Sequence, residues 1–151
     1  MIKLITVGSI KEKYLKDGID EYVKRLKKYT PIEIIELKDE SFQDESKIKK
    51  IEGERILKNI KDKEYVITLE IEGKELTSLE LANKLDQIYL TNSDITFIIG
   101  GSLGLSNEVK QRSNYALSFS RMTFPHQLFR LILLEQIYRS FKINNNESYH
   151  K

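Results

Sequence analysis

Residue types able to do chemistry gather in the last third of the chain. An apolar run, Ile95-Thr96-Phe97-Ile98-Ile99, ends in Gly100-Gly101-Ser102-Leu103-Gly104, and Leu117-Ser118-Phe119-Ser120-Arg121-Met122-Thr123-Phe124-Pro125-His126 follows soon after. Both histidines, His126 and His150, lie in this third, the second inside a closing Tyr149-His150-Lys151. Imidazoles, carboxylates and guanidinium groups are the side chains that move protons or steady charge near neutral pH. The candidates are therefore His126, Glu135, Arg139, Tyr149 and His150. Each also has a plain structural use. His126 follows Pro125 at the start of a helical pattern, where an imidazole serves equally as a polar contact. Glu135 and Arg139 stand four apart with the acid first, which is the spacing of an ordinary helix-surface ion pair. Tyr149-His150-Lys151 closes the chain, a common place for disorder.

The elements that must position these groups alternate. Strand patterns run over Ile2–Val7, Ile32–Leu37, Tyr65–Glu70, Ile95–Ile99 and Tyr115–Phe119, each short and rich in Ile, Val, Leu, Tyr or Phe. Between them Leu15, Ile19, Tyr22, Val23 and Leu26 recur at helical spacing, as do Ile48 with Ile51 and Leu81, Leu85 and Ile88. Thr77 with Glu80 makes a capping box, and Ser106 with Glu108 makes a further helix start. Such alternation predicts an α/β fold with a mostly parallel sheet and helices on both faces. The charged stretch Lys38–Lys50 has no apolar period before Ile48, so its first half reads as an irregular loop.

In a parallel sheet, ligands bind beyond the carboxyl ends of the strands. Here those ends are Thr68-Leu69-Glu70, Gly100-Gly101-Ser102 and Ser118-Phe119-Ser120, where glycine allows positive φ or lets a ligand approach the backbone. The spacing of Gly100, Gly101 and Gly104 matches neither G-x-G-x-x-G nor a P-loop, which disfavours dinucleotides and ATP. A glycine turn of this kind is often purely structural, so its weight comes from its companions.

Composition narrows the class. At 151 residues the chain reads as one domain, residues 1–151, large enough to bury about 70% of its unfolded surface without disulfides or metals. It contains no cysteine, which removes thiolate nucleophiles and Cys-based zinc sites and fits a reducing, cytoplasmic setting. Met1–Gly8 is too short for the apolar core of a signal peptide and reads as a strand. Arg130, Glu135 and Arg139 interrupt the most apolar helix, 128–141, so no membrane span is expected. The net charge of +2 hides an asymmetry: residues 1–100 carry 18 Lys+Arg against 20 Asp+Glu, whereas residues 101–151 carry 7 against 3. A second basic cluster, Lys24-Arg25-Leu26-Lys27-Lys28, closes the first helical pattern. It is either a solvated helix end favoured by the macrodipole or a phosphate contact, and the second reading requires that both basic regions share a face.

Taken together, the N-terminal strand ending in Val7-Gly8, the run Val66-Ile67-Thr68-Leu69-Glu70-Ile71-Glu72-Gly73-Lys74, then Phe97–Gly104, Leu117–His126 and the terminal Tyr149-His150-Lys151 resemble the rRNA large subunit methyltransferase H (RlmH) family. The resemblance covers essentially the whole chain in the same order. It implies a SPOUT fold, an α/β knot whose C-terminal segment threads a trefoil, and a homodimer. It further implies transfer of a methyl group from S-adenosylmethionine to N3 of a pseudouridine in 23S rRNA, with no metal. Carried over residue by residue, the cofactor site falls on Leu69, Gly100, Phe119, Ser120, Arg121, Met122, Thr123 and Phe124. Met122 and Phe124 are equally readable as core, whereas Arg121 is not.

The last helix bears on assembly. Leu128, Leu131, Ile132, Leu134, Ile137, Tyr138 and Phe141 spread around most of its circumference, which one packing face cannot bury and a dimer interface would. In such a dimer the tail of one subunit would complete the site of the other. Two other readings remain at this point: a knotted methyltransferase acting on tRNA, and a silent RNA-binding or ribosome-associated module with no use for the glycine turn and the 119–124 loop.

Overall fold

A computed structural model describes residues 1–41 and 44–151 of the chain. Among the described residues ten elements alternate: β1 (Ile2–Val7), α1 (Lys13–Leu26), β2 (Ile32–Leu37), α2 (Glu45–Lys58), β3 (Tyr65–Glu75), α3 (Ser78–Tyr89), β4 (Ile95–Ile99), α4 (Asn107–Arg112), β5 (Tyr115–Ser118) and α5 (His126–Asn144). The five strands form one sheet in the order β2-β1-β4-β3-β5, and every pairing is parallel. β1 and β4 are buried along their whole length, as strands covered on both faces must be.

Alternate strand residues feed two cores. Ile2, Leu4, Ile67, Phe97 and Leu117 pack with α1, α3 and α5 on one face. Ile5, Val7, Val66 and Ile98 pack with Ile56 of α2 and Val109 of α4 on the other. At the amino end of the sheet the Lys3 ammonium donates to Glu64 (2.5 Å) and to the Asn59 carbonyl (2.6 Å), while Thr96 donates to the second Glu64 oxygen (3.0 Å). Both oxygens of the buried Glu64 carboxylate are thereby hydrogen-bonded, and it faces the ammonium directly, the condition under which buried charge is tolerated.

The Thr77–Glu80 capping box forms as expected, and Ser106 caps α4 by accepting from Val109 N. α2 starts at Glu45, after the first half of Lys38–Lys50; the Asp44 carboxylate accepts from Ser46 and Lys47 N–H and so initiates the helix without an apolar period. Residues 42–43 of the expected loop lie outside the described residues. β3 continues to Glu75, five residues past the apolar run, while β5 stops at Ser118.

Candidate active site

The extension of β3 shapes the site. Leu69 and Lys74 both register on Leu117 of β5, so residues 70–73 leave the ladder as an excursion at the carboxyl end of the sheet. Gly73 makes this possible. A Cβ there would lie 2.8 Å from the Ala116 carbonyl carbon and oxygen and 2.9 Å from the Leu117 carbonyl carbon, so only glycine fits against that backbone. Thr68 fixes the start of the excursion by donating to the Glu70 carboxylate (2.6 Å), and Lys110 lies 3.8 Å from the same group.

Beside the excursion opens a cleft of about 570 Å³ at the carboxyl ends of β3, β4 and β5. Leu69, Glu70, Ile71 and Glu72 form one wall, the turn from Ile99 to Leu105 a second, and Leu117–Ser120, Met122–Phe124, His126 and Phe129 the third. Phe129 anchors the third wall, with Phe119 edge-on at 5.0 Å and Phe124 stacked at 5.8 Å. The Ser118 hydroxyl donates to the Ser120 carbonyl (3.0 Å), and Ser120 Oγ accepts from Met122 N–H (3.0 Å), which folds the 119–124 loop back on itself.

Seven of the eight residues proposed for the cofactor line this cleft: Leu69, Gly100, Phe119, Ser120, Met122, Thr123 and Phe124. Arg121 is exposed and is not among the lining residues. Met122 is 74% exposed, so the alternative that it is a core residue fails. Gly100 acts differently from a simple opening onto the ligand. A Cβ at Gly100 would meet Leu105 Cδ2 at 2.8 Å and the Gly104 backbone at 3.1 Å, so this glycine lets the turn close on itself. The turn is held by Gly104 N–H donating to the Gly101 carbonyl (3.0 Å), and the residue in it with positive φ is Gly104. Glu52 of α2 lies buried beneath it, 5% exposed, accepting from Glu40 N–H (3.1 Å); burial pushes its carboxyl pKa up.

The five side chains proposed for proton and charge chemistry separate into two places. His126 lines the cleft. Glu135, Arg139, Tyr149 and His150 form a cluster farther along α5. Arg139 Nε donates to Glu135 (3.0 Å), and the Tyr149 hydroxyl donates to the same carboxylate (3.2 Å). An Arg139 nitrogen lies 3.1 Å from His150 Nδ1. Guanidinium only donates, so Nδ1 is the acceptor in that pairing and the imidazole proton sits on Nε2, free to donate outward. Arg139 is raised above its usual pKa by the Glu135 hydrogen bond; Tyr149 is raised chiefly by burial. The Tyr149 ring meets Tyr138 edge-on at 4.9 Å, so the tail is packed onto α5. The 1.5 Å rise per helical residue puts Glu135 about 14 Å and Arg139 about 20 Å along the axis from His126. Within one subunit the cluster and the cleft are therefore separate.

Sequence reading missed part of the cleft. Glu72 looks like an outward strand residue, and Lys110 like a helix-surface cation, until the fold brings both to the cleft. Among the described residues, no group of three or more His, Cys, Asp or Glu could hold a metal, and no helix is long and apolar enough to cross a membrane.

Comparison with known proteins decides the family. The family described as "predicted SPOUT methyltransferase" matches residues 1–150. A ribosomal RNA large subunit methyltransferase H from Clostridium botulinum (strain Alaska E43) is 57% identical, with 99% of each chain covered; its counterpart from Clostridioides difficile (strain 630) gives the same values. The chain belongs to the RlmH family of SPOUT methyltransferases. Among solved structures, a probable methylase family protein from Haemophilus influenzae Rd KW20 superposes with a TM-score of 0.57 at 16% identity, covering 99% of this chain and 70% of that one. At that identity the likeness is one of fold, and it agrees with the parallel sheet and two-sided helical cover seen here. The RlmH assignment thus rests on full-length sequence similarity, and the fold stands with it.

Proposed function

We propose that this chain is an S-adenosylmethionine-dependent methyltransferase, one domain in a cytoplasmic homodimer, that methylates N3 of a pseudouridine in 23S rRNA on assembled ribosomes. The observation that carries the reading is the cleft. Its volume suits a nucleoside-sized ligand, it lies where a parallel sheet binds one, and seven of the eight residues expected around the cofactor line it. Its materials fit the cofactor as well: an aromatic wall at Phe119, Phe124 and Phe129, and the Glu70 and Glu72 carboxylates for a ligand bearing a sulfonium and an ammonium. A silent RNA-binding module would have no use for such a cleft.

When bound, S-adenosylmethionine supplies the methyl group together with its leaving group. The chain then has to hold the base in line and dispose of the N3 proton. In this reading His126, the imidazole at the cleft, accepts that proton. Negative charge left on the base spreads onto its carbonyl oxygens, where the Nε2–H of His150 donates and the Arg139 guanidinium attracts. Glu135 positions rather than reacts, since it already accepts from Arg139 and Tyr149. In this reading the cluster, distant along α5 from its own cleft, serves the cleft of a second subunit, with the two α5 helices side by side. Half-buried Leu131, Ile132 and Phe141 and the exposed Leu128 supply apolar surface for that pairing. The trefoil threading of the C-terminal segment belongs to the same reading and is compatible with β5 gripped by both limbs of β3.

Titration calorimetry with S-adenosylmethionine tests the cofactor assignment. Binding by the parent and at least tenfold weaker binding by Gly100→Val, with its fold retained, is the expected result. Equal affinity in the two proteins would move the site elsewhere.

A further inference from the structure

The basic cluster that ends α1 and the cations of α5 are far apart in sequence and continuous in space. Arg25 lies over the rings of Tyr22 (5.0 Å) and Tyr138 (5.6 Å). Tyr138 meets Tyr149 of the tail, and Arg139 sits 4.8 Å from the centre of the Tyr149 ring. On the other side Tyr29 stacks on Phe141 at 5.8 Å, lies 5.8 Å from Lys142 Nζ, and donates its hydroxyl proton to Glu147 (2.9 Å). The Glu147 carboxyl is held below its usual pKa by Lys142 and Tyr29, with a smaller contribution from the charge of Lys28. Of the second basic region, Arg139 and Lys142 share this face with the α1 cluster, as a phosphate contact requires, whereas Lys110 borders the cleft and Arg130 is buried against Glu36.

The charges on this face do not cancel. Three of its carboxylates are already occupied, Glu21 by Arg25 (2.8 Å), Glu135 by Arg139 and Glu147 by Lys142 (3.0 Å), while among the described residues Asp20, one turn before Lys24, is exposed and forms no ion pair. Among the described residues, Lys24, Lys27 and Lys28 are exposed and take part in no ion pair. Lys24 lies in the last turn of α1 and Lys27 and Lys28 just beyond it, where the helix C-terminus favours cations and a bound polyanion would favour them further. None of the large exposed apolar side chains lies between residues 24 and 29, so the patch has nothing to insert into a bilayer. Cations interleaved with aromatic rings suit nucleic acid, whose phosphates take the lysines and whose bases stack on rings.

We propose that the face built from Lys24, Lys27 and Lys28, continuing through Tyr29 to the tail, is the docking surface for the substrate RNA. The lysines contact phosphates flanking the target nucleotide and set its register, while the tail meets the base. This rests on the reading of the chain as an rRNA methyltransferase.

The test compares Lys24→Gln/Lys27→Gln/Lys28→Gln with a control of equal charge loss on the opposite face of the sheet, Lys47→Gln/Lys50→Gln/Lys58→Gln. Binding of a fluorescein-labelled RNA hairpin of 23S sequence is measured against salt, and methyl transfer to ribosomes is measured as kcat and KM. Each lost phosphate contact lowers the slope of log K on log salt by about 0.7–0.9, so the patch variant, with three lysines removed, should lose about 2–3 units of slope. Its KM for ribosomes should rise at least tenfold at unchanged kcat and unchanged S-adenosylmethionine affinity. The control should match the parent. An unaltered slope and KM in the patch variant, an equal loss in the control, or retention of the parent on anionic phosphatidylserine vesicles with none on RNA would each overturn the proposal. A parent that binds RNA with the expected slope but methylates no ribosome would sink the methyltransferase reading and leave the RNA surface standing.

Discussion

Replacing Gly73 by alanine puts one methyl group where β3 crosses the backbone of β5. The new Cβ would stand 2.8 Å from the Ala116 carbonyl group and 2.9 Å from the Leu117 carbonyl carbon, whereas ordinary contacts begin near 3.4 Å. Roughly 0.6 Å must be found, and neither neighbour is a side chain that can rotate away. The register of Leu69 and Lys74 on Leu117 lies at either end of the strained segment, so the cheapest relief is to lift residues 70–73 away from β5. Overpacking of this kind costs about 1–3 kcal/mol. For a domain of this size that lowers Tm by roughly 2–12 °C. Because the excursion carries Glu70, Ile71 and Glu72 into the cleft wall, the same movement should weaken S-adenosylmethionine binding at least tenfold, about 1.4 kcal/mol of binding energy. Circular dichroism melting and titration calorimetry read the two effects on one preparation. If Gly73→Ala melts with the parent and binds the cofactor within twofold, the close approach is not what holds the cleft wall, and the account of the excursion fails.

Deleting Tyr149–Lys151 removes the edge contact with Tyr138 and the hydrogen bond to Glu135, so a stability loss of about 1–2 kcal/mol is expected along with loss of methyl transfer. His150→Ala should leave the melting curve in place and lower kcat roughly 10²–10³-fold, the effect of removing one donor from a developing anion; a parental rate would make the tail a bystander. Glu52→Gln should stabilise the protein at neutral pH. Burial raises the carboxyl pKa of Glu52 in the folded state, so its ionised form opposes folding above that pKa. As pH falls through the folded value, the native parent takes up its proton first and regains stability, and the advantage of the variant should shrink toward the ordinary carboxylate range. A Tm difference constant from pH 8 to pH 5 would show that Glu52 does not titrate this way.

β1, β2 and β4 have the boundaries their residues predict: in β1 and β4 burial on both faces writes itself into composition, and in β2 half-buried Ile and Leu residues are broken only by the exposed Glu33 and Glu36. The polar end of β3 was not legible. Glu72-Gly73-Lys74-Glu75 holds strand geometry only because the backbone of β5 lies against Gly73, a tertiary contact with no local signature. Asp44 illustrates a signal present but weak: a good N-cap residue outweighs the missing apolar period of its helix. Glu52 resembles any solvated acid in a charged helix, and only the packed turn above it reveals its burial. The distribution of site residues was half visible. The glycine turn and the 119–124 loop converge as strand ends in a parallel sheet should, but grouping His126 with Glu135 and Arg139 overlooked the helical rise between them.

The most direct measurement is transfer of labelled methyl from S-adenosylmethionine to ribosomes lacking the modification, with the product nucleoside identified by mass spectrometry. Methylated pseudouridine, with the methyl at N3, in large-subunit RNA, formed on ribosomes by the parent and not by the tail deletion, is the result the account predicts. Label on another base, on tRNA, or on no RNA while the cofactor still binds would contradict it.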